Sequence, residues 1–147
     1  MKKIIIGSDH RGFVLKGKLK KYLESKNYQV TDVGSFSEQS CDYPDTAYTI
    51  GNAVSKNKFK KGILICYSGI GNVITANKIS GIRAAVCYNV KLARLSREHN
   101  DTNVLVLAAG FVSQAQAKKI LDVWLKTKFS CGRHLRRLNK IKKIEER

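Results

Sequence analysis

Proline occurs once, at Pro44, which argues against proline-rich linkers. No stretch approaches the ~18 apolar residues of a membrane span. The apolar part of the N-terminus, Ile4 to Ile6, is too short for a secretory signal. These absences predict a cytoplasmic protein with no membrane partner. The four cysteines, at positions 41, 66, 87 and 131, include no Cys-x-x-Cys pair. That spacing argues against a zinc ribbon or a dithiol redox motif, and no other metal-ligating cluster is visible. Reduced thiols packed as small hydrophobes are the default expectation. There are no internal repeats and no low-complexity segments.

Acidic side chains are also scarce, 11 against 28 basic ones, for a net charge of +17. Such an excess suits either nucleic acid or a site for an anionic metabolite. The lysines are scattered (Lys16, Lys18, Lys20 and Lys21, then Lys56 to Lys61, then the C-terminus) and read as surface residues. Phe59 alone stands among them, not the series of interleaved aromatics that a base-stacking platform requires. Nucleic-acid binding is therefore not the expected function.

What remains is a chain of 147 residues, 43% hydrophobic, long enough to bury a core as one domain without disulfide or metal. Short apolar runs alternate with amphipathic stretches. Strands are predicted over 3–7, 28–33, 62–66, 82–87 and 103–108. Helices are predicted over 13–25, 46–56, about 69–78, 91–98 and 113–126. Strands that are apolar throughout, separated by helices, imply a parallel sheet covered on both faces. The expected fold is a Rossmann-like, three-layer α/β domain with a five-stranded parallel sheet. A last helix, about 133–146, carries Leu135, Leu138, Ile141 and Ile144 three apart on a strongly charged background. That stripe must pack on its own domain or on a partner subunit.

In such sheets ligands sit outside the carboxyl ends of the strands. Three loops qualify: Ser8-Asp9-His10, Cys66 to Gly71, and the segment after the fifth strand. In Cys66-Tyr67-Ser68-Gly69-Ile70-Gly71 the glycines let backbone amides approach a ligand closely. Amides at a helix N-terminus favour anions and lower the pKa of a nearby thiol, so Cys66 is expected to be a thiolate. A plain tight turn would carry the same glycines. Asp9, taken alone, reads as a helix N-cap worth about 1 kcal/mol, with His10 on the surface. His99 is either a general acid/base or a C-terminal histidine favoured by the helix dipole. Arg133 and Arg137 share one helix face and suit a phosphate, or form a solvated basic face with Arg136.

The order of these residues resembles the ribose-5-phosphate isomerase B family, which includes galactose-6-phosphate isomerase. The resemblance runs the whole length: Gly7-Ser8-Asp9-His10, Asp42-Tyr43-Pro44, Gly62 to Gly71, Ala76-Asn77-Lys78, Gly81 to Ala85, Ser96 to Asn103, and Gly132-Arg133-His134 with Arg137. It implies metal- and cofactor-free interconversion of ribose 5-phosphate and ribulose 5-phosphate. It also implies a homodimer, often paired into a tetramer, with active sites shared between subunits. The position of Cys66 is then the base that moves the C2 proton to C1. The position of His99, from the neighbouring subunit, helps open the sugar ring. Ser68 supplies a hydroxyl, and the amides of Tyr67 to Gly71 stabilise the enediolate. Asp9, Tyr43 and Asn100 match sugar-contacting positions; His10, Arg133 and Arg137 match phosphate-contacting ones. One branch of the family uses a glutamate base where this chain has Asn72, which cannot abstract a proton.

Two positions depart from the family pattern. Tyr67 stands where glycine usually follows the cysteine, which predicts backbone strain if that position has positive φ, and a narrower pocket. Ala108-Ala109-Gly110-Phe111 replaces a segment that often carries a phosphate-reaching arginine, which shifts the phosphate onto Arg133, Arg137 and His10. Both leave open a six-carbon sugar phosphate as the substrate. A basic binding protein that kept the fold without the chemistry is the third reading.

Overall fold

The computed structural model describes residues 2–147. The chain runs β1 (Lys2–Ser8), a single 3-10 turn (His10–Gly12), α1 (Phe13–Ser25), β2 (Tyr28–Asp32), α2 (Tyr43–Ser55), β3 (Gly62–Cys66) and α3 (Ile70–Asn77). It continues through β4 (Ala84–Val86), α4 (Val90–Asn100), β5 (Val104–Ala108), α5 (Gln114–Lys126) and α6 (Arg133–Glu145). The five strands pair in parallel in the order β2-β1-β3-β5-β4. The three-layer parallel fold expected from the sequence is the one observed.

Strand alternation builds both covering layers. Ile4 and Ile6 face Leu15, Leu19 and Leu23 of α1 and the Ile120–Trp124 face of α5. Ile5 and Leu64 face Ala47, Ile50 and Val54 of α2 and Ala76 of α3. Trp124 is fully buried and its indole N–H donates to Thr102 Oγ1 at 2.9 Å, so the ring's one polar group is paired.

Several boundaries differ from expectation for local reasons. The fourth strand is three residues rather than six. Ile82 closes a turn on Ile79, and the Arg83 amide is taken by the Asn103 side chain, so the ladder starts only at Ala84. Helix α2 begins at Tyr43 rather than Thr46 because Pro44, in its first turn, presets a helical φ. Ser113 caps α5 in a reciprocal capping box with Gln116.

Lys16 overturns the reading of the lysines as surface residues. It is 1% exposed, and its ammonium donates to both oxygens of Asp32 at 2.7 and 2.8 Å and to the Ser35 carbonyl at 2.6 Å. Three charge-assisted bonds offset the cost of burying that cation and tie α1 to the end of β2.

Candidate active site

The order of strands reverses between β1 and β3, which lie side by side while their chains continue to opposite edges of the sheet. The crevice above such a switch point is where α/β folds take ligands. Asp9 leaves β1 there, its amide bonded to the Ile65 carbonyl of β3. Cys66 ends β3 at the same level.

Asp9 Oδ1 accepts from the amides of Arg11 and Gly12, each at 3.0 Å. The capping role is thus real, and it holds the 7%-exposed carboxyl in place at the crevice. His10 Nδ1 accepts the Cys41 amide at 3.2 Å. That bond puts the neutral ring's proton on Nε2, so the other nitrogen is the donor.

Gly69 has φ +83° and begins α3; a methyl group there would also meet Val86 at 2.6 Å. The left-handed turn directs the Gly69 amide onto Cys66 Sγ at 3.1 Å. The Ser68 hydroxyl accepts from the Ile70 amide at 3.3 Å. The Tyr43 ring lies against Gly71, where any Cβ would collide with it. The crevice therefore gathers Asp9, His10, Tyr43, Cys66, Tyr67, Ser68, Gly69, Ile70 and Gly71.

The expected thiolate is not the resting state. Burial pushes the Cys66 thiol above the ordinary cysteine range. The Gly69 amide pulls it down, the Asp9 carboxylate raises it again, and the amides of Asn72 and Ser68 lower it less strongly. Desolvation outweighs the helix N-terminus in the free protein. Asn72 itself is 1% exposed, with both amide atoms unpaired among the described residues.

Tyr67 does not carry the expected backbone strain, since the positive φ falls on Gly69 and not on residue 67. Its ring lies over Gly110, where a Cβ would collide with it, and meets Phe111 edge-on at 5.6 Å. Phe111 meets Tyr88 edge-on at 6.0 Å, and the Tyr88 hydroxyl donates to the Ser68 carbonyl at 2.8 Å. The two departures at 67 and 110 are therefore one feature: glycine at 110 makes room for the tyrosine.

His99, Asn100, Arg133 and Arg137 are not in this crevice. Helix α4 runs back against the strands, so its last turn lies beside the start of β5. Cys66 is level with Ala108 at that strand's other end, a five-residue strand away, or roughly 15 Å. There the rings of His99 and His134 stack at 4.3 Å and 14°. Burial first, then His99, Arg133 and Arg137, hold His134 below the ordinary histidine range. Around them Arg97, 8% exposed, bonds Asp101 at 2.8 Å and the Thr102 carbonyl at 2.6 Å, and Ser96 shares a 3.0 Å hydroxyl bond with Thr102. Much of Ser96 to Asn103 is thus bound into the turn that joins α4 to β5.

The Ribose/Galactose Isomerase sequence profile matches residues 4–141. The chain belongs to the ribose/galactose isomerase family. Among proteins similar to this ribose/galactose isomerase family member is ribose-5-phosphate isomerase B of Escherichia coli strain K12. The two are 44% identical over 147 residues, covering 100% of this chain and 99% of the other. Ribose-5-phosphate isomerase B of Clostridium thermocellum superimposes with a TM-score of 0.97 at 46% identity, covering 98% of this chain and 97% of that one. The Mycoplasma genitalium enzyme, solved with bound ribulose-5-phosphate, superimposes with a TM-score of 0.94 at 40% identity, covering 98% and 96%.

The sequence reading gave no role to Arg11, Tyr88, Phe111 or His134. Arg11 directly follows the singled-out Asp9-His10, so its place in a strand-end loop was the available signal. Nothing in the sequence pairs Tyr88 with Phe111. Among the described residues no group of three or more His, Cys, Asp or Glu side chains has a metal-holding arrangement, and no helix is long and apolar enough to cross a membrane.

Proposed function

We propose that this family member interconverts ribose 5-phosphate and ribulose 5-phosphate by proton transfer, with Cys66 as the base. The observation that carries the reading is the Gly69 amide on Cys66 Sγ at 3.1 Å, at the sheet's switch point. An N–H aimed at sulfur favours the thiolate over the thiol once the base loses its proton. The Cys66 thiolate takes the C2 proton of the open-chain aldose, and the electron pair moves through C2–C1 onto O1. The amides that open α3 stabilise the resulting enediolate. Cys66 then returns the proton to C1 as the O2 proton passes to O1, which leaves a carbonyl at C2 and a hydroxyl at C1, the ketose.

Asp9, Tyr43 and Asn100 hold sugar hydroxyls in this scheme, and Ser68 holds the reacting oxygens with the amides of Tyr67 to Gly71. His10, Arg133 and Arg137 hold the phosphate. His99 moves the proton that opens the furanose ring. Since His99, Asn100, Arg133 and Arg137 lie beyond reach of Cys66 in their own chain, a second copy supplies them. The exposed stripe of α6, with Leu135 and Ile141 each 48% and Ile144 61% exposed, is the surface on which that copy packs. The four free thiols suit a reducing cytoplasm.

The test is a paired assay on pentose and hexose phosphates. Higher kcat/KM on ribose 5-phosphate supports the reading, and a hexose preference overturns its substrate. An unimpaired Cys66→Ala variant overturns its base.

A further inference from the structure

We propose that Arg11 is a phosphate-binding and specificity residue of this enzyme, set in place by stacking on Tyr67. The inference deepens the reading above and rests on it for the identity of the sugar. Arg11 sits in the 3-10 turn directly after β1, next to His10, with an exposed side chain. Its guanidinium carbon lies 4.5 Å from the Tyr67 ring centroid. It enters none of the ion pairs formed among the described residues. A guanidinium over an aromatic face uses its own face for that contact and keeps its in-plane N–H donors for a ligand.

The surroundings give those donors a target. Arg11, His10, Glu38, Tyr67 and Gly110 line one open cleft of about 430 Å³ on the crevice side of the molecule. His10 is oriented by the Cys41 amide so that Nε2–H is its free donor. A fork of guanidinium donors beside an imidazole N–H matches the oxygens of a phosphate monoester. Glu38 is the one carboxylate in the cleft and disfavours a second anion there, which limits the site to one phosphate.

The position depends on four residues acting together. Tyr67 reaches under Arg11 only because residue 110 is glycine; Phe111 meets that ring edge-on, and Tyr88 in turn meets Phe111. The Tyr88 hydroxyl bond to Ser68 links these rings to the catalytic loop. Tyr67 is a positioning residue, and Arg11 is the residue that meets the anion. Expectation from sequence put the phosphate on His10 and the arginines of α6 alone; the geometry adds a cation from the Cys66-bearing chain.

The experiment measures two things on wild type, Arg11→Ala, Arg11→Lys and Tyr67→Leu. Calorimetric titration gives the affinity for inorganic phosphate, and steady-state kinetics give kcat and KM for ribose 5-phosphate. One charge-assisted contact is worth about 2 kcal/mol, roughly a 30-fold change in affinity. The expected result is a rise of ~10- to 30-fold in both phosphate Kd and KM for Arg11→Ala, with kcat within ~3-fold. Arg11→Lys recovers part of the loss, since charge is kept and the planar fork is not. Tyr67→Leu raises KM by ~3-fold through a less ordered Arg11. Phosphate affinity and KM within twofold of wild type in Arg11→Ala overturn the proposal. An effect of Arg11→Ala without any from Tyr67→Leu overturns the positioning role. Arg11-dependent phosphate binding in a protein that does not turn over ribose 5-phosphate overturns the reaction assignment and upholds the anion site.

Discussion

The imidazole rings of His99 and His134 lie 4.3 Å apart and 14° from parallel, one from the last turn of α4 and one from the first turn of α6. His134 is 9% exposed and held below the ordinary histidine range, so it offers His99 an uncharged face. A stack of this kind fixes the ring plane of a side chain that must otherwise hold itself at the surface. His99→Ala is expected to lower kcat/KM on ribose 5-phosphate by ~100-fold, the usual worth of a general acid/base. His134→Leu, which leaves His99 present but less oriented, is expected to cost ~10-fold. Equal losses in the two variants, with unchanged melting temperature, would show that His134 does more than orient its neighbour.

Placing Cys66 and His99 at opposite ends of the sheet predicts complementation. Cys66→Ala and His99→Ala proteins should each be nearly inactive. Unfolded together and refolded as a mixture, half the dimers carry one copy of each, and one of their two sites is intact. Activity then recovers to about one quarter of wild type. No recovery would mean that one chain supplies the whole site. Ile141→Asp with Ile144→Asp should shift the light-scattering mass toward a single chain and abolish activity together.

The raised pKa of Cys66 sets the sign of the pH dependence. With Cys66 as the proposed base the reaction draws on its thiolate, which burial makes scarcer at neutral pH than in an ordinary cysteine. The kcat/KM profile should rise with pH, with its ascending limb above the ordinary thiol range near 8.5. A limb at or below pH 7 would place a different group in the base's role.

Lys16 and Asp32 form a buried pair whose partners cannot be removed singly without cost. Lys16→Met leaves the Asp32 carboxylate, 13% exposed, without its cation. Denaturant titration should show a loss of about 3 kcal/mol or more. Lys16→Met combined with Asp32→Leu should recover part of it. A loss no larger than that of a surface lysine would show that water replaces the ammonium.

Lys61 gives a stability prediction of opposite character. Burial lowers its pKa from the ordinary lysine range to about 8, assisted by Arg97 and Lys2 and opposed by Asp101. Between about pH 8 and the unfolded lysine value near 10.4, the unfolded chain holds a proton that the folded chain has released. Stability therefore gains from this group as pH rises through that window. Lys61→Met should remove the gain, so the difference in melting temperature between variant and wild type narrows from pH 7 to pH 10. A constant difference would mean that Lys61 stays protonated by turning outward.

Much of this protein is decided locally and was legible in its order of residues. The apolar runs Ile4 to Ile6, Gly62 to Cys66 and Val104 to Ala108 have no polar face, so only a sheet covered on both sides accommodates them. The glycines of the loop after β3 let a backbone amide approach closely, and the Gly69 amide is the one that meets Cys66. The remaining decisions depend on which surfaces meet. Lys16 looked like a solvated lysine until α1 packed it over Asp32. The thiol of Cys66 looked activated until its burial was known, because desolvation depends on everything packed around it and a helix dipole only on its own backbone. Tyr67 and Gly110 read as two separate departures from the family, and folding makes them one contact that holds Arg11. The number and order of the strands, the glycine loop and the family follow from the order of residues alone. The tertiary structure decided the raised pKa of the Cys66 thiol, the separation of Cys66 from His99 and the cation poised over Tyr67, since each arises from distances between residues far apart along the chain.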